Sequence, residues 1–103
     1  MALFMSVGSY PAHKATELGK ILPKLSKLPD FIKQKDLYIT ASNDNGEIKA
    51  YGLYECPDDK AHEAFIGITK RLTGYFVVEG FKFKIEPLLT VKEALPLIGL
   101  TPP

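Results

Sequence analysis

The sequence predicts an α+β domain in the order strand, helix, strand, strand, helix, strand, with a short helix at the end. Three observations carry this. Apolar residues recur with period two in four segments and at spacings of three and four in two others. An Asn45-Gly46 pair separates two strand-like runs, the form of a tight hairpin. Pro11, Pro57 and Gly74 stand where helices are expected to start or stop. The 103 residues suffice for one domain, 1–103. Hydrophobic residues at 46% and charged residues at 24% match a soluble globular domain and argue against wholesale disorder.

The first strand is read as Leu3 to Ser9, ended by Tyr10-Pro11. Proline suits a first helical turn, where its missing N–H costs no hydrogen bond. Ala15, Leu18, Ile21, Leu22, Leu25 and Leu28 then form an amphipathic stripe, with lysines on the outer side. Pro23 lies inside that stripe and removes a backbone bond, so the regular helix is expected to end near Leu22. Leu37 to Ala41 is the second strand, Ser42-Asn43-Asp44-Asn45-Gly46 the turn, and Glu47 to Glu55 the third strand. Cys56-Pro57-Asp58-Asp59 closes it and supplies an aspartate as a helix cap.

Ala61, Ala64, Phe65, Ile68 and Leu72 mark one face of the second helix, with Gly74 as its stop. In the last strand, Gly80 to Leu88, Phe81, Phe83 and Ile85 alternate with Lys82, Lys84 and Glu86. Thr90-Val91-Lys92-Glu93 has the form of a capping box, opening a helix that Pro96 and Gly99 curtail.

Right-handed crossovers turn this order into a ferredoxin-like βαββαβ arrangement: a four-stranded antiparallel sheet with two helices on one face. The helix-facing side is expected to carry Leu3, Met5, Val7, Leu37, Ile39, Ala41, Phe81, Phe83 and Ile85. The opposite side then carries Phe4, Ser6, Tyr38, Thr40, Lys82 and Lys84, with Tyr51 and Leu53. A face mixing aromatics, hydroxyls and lysines has the composition of a partner surface or ligand site. A chain this small buries a modest core, which favours a homodimer.

Several function classes are disfavoured. Thirteen Lys plus Arg against twelve Asp plus Glu leave a formal charge of +1, so no strong field draws nucleic acid or an anionic membrane. The single cysteine, Cys56, excludes an internal disulfide and a multi-cysteine zinc site, and reads as a small buried filler. Met-Ala-Leu-Phe-Met-Ser-Val at the amino end has no basic residues ahead of it and reads as a strand. No apolar run approaches the roughly 20 residues that span a bilayer. The expectation is a cytoplasmic protein with no membrane partner. His13 and His62 lack metal-ligand spacing, and neither a phosphate loop nor a nucleophile elbow is present, so no metal or cofactor is expected.

Among the remaining polar residues, His13, in the first turn of the first helix, is a candidate general base, with Tyr10 beside it in sequence. A solvent-facing histidine with no task explains His13 equally well, and His62 reads as a residue at the edge of an apolar stripe. Tyr38, Tyr51 and Lys82 are candidate ligand contacts on the second face. As interface tyrosines, the first two would bury their rings and keep their hydroxyls hydrogen-bonded. Lys82 and Lys84 are expected to pair with Glu47, Glu79 or Glu86 of a second copy. A ligand pocket is expected between the sheet and the segment Val91 to Leu100.

Lys49-Ala50-Tyr51-Gly52-Leu53-Tyr54-Glu55-Cys56 resembles the third-strand signature of RNA-recognition motifs at Lys49, Tyr51 and Gly52, and departs from it at Ala50, Leu53 and Cys56. A broader resemblance runs from Phe4-Met5-Ser6-Val7-Gly8-Ser9-Tyr10-Pro11, through Glu55-Cys56-Pro57-Asp58-Asp59, to Glu86-Pro87-Leu88-Leu89 and the following Thr90 to Leu95. Over this span the chain resembles small uncharacterised members of the dimeric α/β-barrel superfamily. That resemblance implies two sheets packed face to face in a homodimer. Its members include cofactor-free monooxygenases, isomerases and haem-degrading enzymes; the absence of tryptophan makes the last a poor guide. The leading expectation is a small-molecule-binding or regulatory domain. A cofactor-independent monooxygenase or isomerase, and a single-stranded RNA binder, are the alternatives.

Overall fold

Four strands pair into a single antiparallel sheet in the computed structural model, which describes residues 1–41 and 45–101. They are β1 (Ala2–Pro11), β2 (Lys33–Ile39), β3 (Glu47–Cys56) and β4 (Lys82–Leu88), in the spatial order β2-β3-β1-β4. Asn45 and Gly46 enter β3 with φ of 54° and 79°, the left-handed backbone that Asn and Gly tolerate best. Ser42, Asn43 and Asp44 of the expected turn lie outside the described residues. Between β1 and β2 runs α1 (Ala15–Ile21), which gives way at Leu22–Lys24 to a 3-10 turn holding Pro23. The ring removes the backbone donor there, as the sequence requires. Between β3 and β4 runs α2 (Ala61–Thr73), and β4 leads to α3 (Val91–Ala94).

β1 is two residues longer than expected at its carboxyl end, and β2 begins earlier and stops at Ile39, leaving Ala41 beyond it. The expected aspartate cap does not form: Asp58 and Asp59 sit inside a 3-10 turn, and no side chain caps α2. Pro57 starts that turn, so the aspartates fall one turn too early to reach the N–H groups of α2.

The main correction concerns which side of β1 faces the helices. Phe4, Ser6, Gly8 and Tyr10 are buried on that side; Leu3, Met5 and Val7 are half-buried on the other. Phe4 meets Phe65 of α2 at 6.3 Å between ring centroids. Phe4 and Ser6 are therefore core residues and not part of the open face. Both rows of β1 contain large apolar residues, so alternation alone fixes the period and not the phase. Size decides: small residues on this side leave room for aromatic rings from elsewhere in the chain, Phe81 lying 3.4 Å from where a Cβ on Gly8 would stand. At Gly52 a Cβ would lie 2.8 Å from Ser6 Oγ and 2.9 Å from the Tyr54 hydroxyl. The Tyr54 side chain folds back beside this glycine, a position no larger residue could share.

The core gathers Phe4, Ile32, Tyr54, Cys56, Ala64 and Ile68, with Ala64 and Ile68 wholly removed from solvent. Burial pushes the Cys56 thiol above its ordinary pKa, and the charges of nearby Asp58 and Asp59 act in the same direction. The thiol is thereby kept in its unreactive form. Phe81 joins a second aromatic group, 5.1 Å from Tyr75 and 6.0 Å from Phe83.

The capping box forms as expected. The Glu93 amide donates to Thr90 Oγ1 at 3.1 Å, and the Thr90 amide donates to Glu93 Oε1 at 2.9 Å. Those hydrogen bonds hold the Glu93 carboxyl below its ordinary pKa of 4.5, chiefly through the Thr90 backbone. A lowered folded pKa stabilises above the unfolded value and is lost as pH falls through the folded one. Loosening of α3 is thus expected as acid is added below that range, and Thr90→Ala should produce it at neutral pH at a local cost of about 1 kcal/mol. Amide hydrogen exchange at Glu93 reports both effects; unchanged protection in Thr90→Ala would contradict them.

Candidate functional site

Antiparallel register arranges the side of the sheet away from the helices into lateral rows. Lys49, Ser9 and Lys82 form one row; Tyr38, Tyr51, Val7 and Lys84 the next; Asp36, Leu53, Met5 and Glu86 the third; Lys33, Glu55, Leu3 and Leu88 the last. Leu3, Met5, Val7 and Leu53 make an apolar band along the two central strands, and charged residues occupy the flanks. Tyr38 is 62% exposed on the edge strand beside Tyr51. Lys82 reaches Glu47 at 3.2 Å and Lys84 reaches Glu86 at 3.5 Å. These ion pairs, expected between two copies, close within one chain: Lys84 and Glu86 stand two residues apart on one face of β4, and Lys82 and Glu47 lie on either side of the end of β1. Val7, Ser9, Tyr51 and Lys82 line a shallow depression on this face, so Tyr51 and Lys82 come together while Tyr38 lies outside it.

A second concavity lies on the helix side. α1 contributes Leu18, and the 3-10 turn after it Leu22, with Leu25 following. Opposite them are Leu37, Ile39 and Ala50 of the sheet, and the two layers enclose a cavity of about 70 Å³. Leu22, Leu37 and Ile39 are exposed as well as lining it, so its mouth opens between the 3-10 turn and edge strand β2. One part of the wall is polar: Ser6, Tyr10, Tyr54 and Tyr75, with Gln34 and Arg71. Ser6 Oγ and the Tyr54 hydroxyl are 3.4 Å apart, and Arg71 Nη1 donates to the Ser26 carbonyl at 2.7 Å.

Tyr10 and Tyr54 are only 4% and 2% exposed. Burial raises the Tyr10 phenol above its ordinary pKa of 10.0; it raises Tyr75 too, against the opposing pull of the Arg71 charge. Both remain protonated near neutrality and can donate hydrogen bonds. Raised phenol values stabilise the fold below pH 10, a contribution lost as alkali ionises them.

Tyr10 thus lines the cavity, whereas His13 is exposed and outside the residues that line it. The suggested His13–Tyr10 pair is not brought to one place, because Pro11 turns the chain out of the strand between them. His62 lies on the outer surface of α2 with Phe65 and Ile66. The segment Val91 to Leu100 lines none of these concavities; Val91, Leu97, Ile98 and Leu100 are exposed. Among the described residues, no three of His, Cys, Asp and Glu are placed to hold a metal ion, and no helix is long and apolar enough to cross a membrane.

Tyr54, Tyr75 and Arg71 escaped the sequence reading. Parity offered a signal for the first, since Tyr54 must face opposite to Tyr51 within one strand. Composition offered one for the last, because Arg71 is the only arginine among thirteen basic residues.

No family model and no curated protein matches the chain. A de novo designed protein, Foldit4, superposes with a TM-score of 0.51 at 8% identity, covering 87% of this chain and 99% of that one. The likeness is one of fold: an α+β chain built on a four-stranded antiparallel sheet. A tripeptidase from Staphylococcus aureus aligns at a TM-score of 0.43 and 10% identity, covering 97% of this chain and 36% of that one. At that score the second alignment carries no argument.

Proposed function

We propose that the protein is a homodimeric, ferredoxin-like domain of the dimeric α/β-barrel kind that binds a small molecule. The observation that carries the binding reading is the cavity of about 70 Å³, whose wall combines leucines with the hydroxyls of Tyr10, Tyr54 and Tyr75. A mostly apolar hollow with a few convergent polar groups is what a small-ligand site requires. The ferredoxin-like reading is supported by the strand order β2-β3-β1-β4 and by α1 and α2 contributing to the same side of the sheet.

Dimerisation is supported by the apolar band on the other side. Four strands about 4.8 Å apart and some 30 Å long present roughly 600 Å². Two such faces approach the 1,200 Å² at which specific interfaces begin. The Lys and Glu residues on the flanks suit a polar rim around an apolar centre.

Two measurements test the reading. Light scattering at micromolar concentration is expected to give twice the chain mass. Thermal unfolding against a set of small apolar compounds bearing one polar group is expected to show stabilisation that Ala50→Leu, which fills the cavity, removes. A monomer that binds single-stranded RNA and loses it on Tyr51→Ala would instead favour the RNA-binding alternative.

A further inference from the structure

We propose that the ligand of the helix-side cavity is a small monocarboxylic acid, its carboxylate held by Arg71 and its short apolar tail lodged between α1 and β2. The inference rests on the small-molecule reading above and names the ligand's chemistry. Among the described residues, Arg71 is the one charged residue lining the cavity, and no Asp or Glu lines it. Nor does any carboxylate lie within ion-pair distance of Arg71 among the described residues.

The guanidinium is nonetheless held in position. Its Nη1 donates to the Ser26 carbonyl at 2.7 Å, which ties the carboxyl end of α2 to the loop after the 3-10 turn. A guanidinium has five N–H donors in a planar fork, so one bond to Ser26 leaves several for an acceptor. That fork matches the two oxygens of a carboxylate.

The neighbouring groups favour the same species. The phenol of Tyr75 lies close enough to Arg71 to feel its charge, and it remains a protonated donor. Tyr10 is a protonated donor on the same wall. A carboxylate only accepts hydrogen bonds, so donors converging beside one cation suit it better than an amine or an ammonium.

Size and polarity set the rest. At about 70 Å³, with each water-sized group needing roughly 10–15 Å³, there is room for a ligand of a few heavy atoms. Leu18, Leu22, Leu37 and Ile39 form the remaining wall toward the mouth. A phosphate ester would place a dianion against these leucines with one cation to meet it, a desolvation the site does not offset.

Calorimetric titration of the purified protein with acetate, propionate and butyrate, each beside its neutral amide, tests the proposal. The acids are expected to bind about 10- to 100-fold more tightly than their amides, the loss that goes with one charge-assisted hydrogen-bond pair. Arg71→Gln should abolish that preference, and Arg71→Lys should restore part of it. Ala50→Leu should remove binding of acids and amides together, with Arg71 intact. Because Arg71→Gln also loses the Ser26 contact, its far-ultraviolet spectrum and melting temperature are recorded without ligand; a variant that fails to fold leaves the acid-to-amide ratio and Ala50→Leu to decide.

Equal binding of acids and amides, both lost in Ala50→Leu, would overturn the carboxylate assignment and leave the small-molecule reading standing. Acid binding that survives Ala50→Leu would place the anion elsewhere and overturn the assignment. Absence of binding by every probe would overturn both.

Discussion

Val7→Asp is expected to convert the proposed dimer into a folded monomer. Val7 is half-buried at the centre of the open face, between Tyr51 on one side and Lys84 on the other. In an isolated subunit an aspartate there remains hydrated, and its cost to folding is small. In a two-fold dimer the same substitution enters the interface twice. At about 2 kcal/mol for each polar group buried without a partner, the two copies weaken association by about 4 kcal/mol, or roughly a thousandfold. Sedimentation or light scattering over a dilution series reads the change, with Val7→Ile as the control that retains the dimer. A Val7→Asp protein that stays dimeric would show that subunits meet through another surface. The exposed apolar residues of the carboxyl-terminal segment, Leu97 and Ile98 among them, would then be the place to look.

Ile68→Ala is expected to lower the stability of the fold by about 2–5 kcal/mol. Ile68 lies on the inner side of α2, fully buried among Phe4, Tyr54 and Cys56. Removing three carbons leaves a hollow that a close-packed sheet and helix fill only in part. For a domain of this size the melting temperature should fall by at least about 8 °C. Ile66→Ala is the matched control. That residue projects from the same helix into solvent, and its truncation should change stability by no more than about 0.5 kcal/mol. A small effect at Ile68, or equal effects at both positions, would contradict the assigned inner side of α2.

How much of this was legible beforehand differs by element. The break at Pro23, the turn at Asn45-Gly46 and the Thr90–Glu93 box depend on covalent restrictions and on contacts between near neighbours, which a local reading captures. The inward side of β4 was legible too, since Phe81, Phe83 and Ile85 alternate with charged residues that cannot be buried without partners. β1 gave no such contrast. Leu3, Met5 and Val7 look more like core than Ser6 and Gly8 do, and the structure buries the second set. Ser6 and Gly8 are inside because aromatic rings from elsewhere in the chain, Tyr54 beside Ser6 and Phe81 over Gly8, occupy the space that small side chains leave.

Of the site, the sequence picked out His13, Tyr10, Tyr38, Tyr51 and Lys82; His13 stands exposed outside the cavity, and the fold divides the other four between two sides of the sheet. Tyr10 belongs to the cavity; the other three stand on the opposite face. Arg71 and Tyr75 reach the cavity wall from one turn of chain near the end of α2, while Ser6, Tyr10 and Tyr54 come from β1 and β3. No spacing in the chain announces that meeting.

By itself the sequence determined the order, approximate limits and punctuation of the elements, because dihedral preference, capping and periodicity act over a few residues. Only the tertiary structure decided which row of β1 turns inward and which polar groups share a cavity. Those outcomes depend on side-chain volumes meeting across strands and helices far apart in the chain, and volume is settled between surfaces.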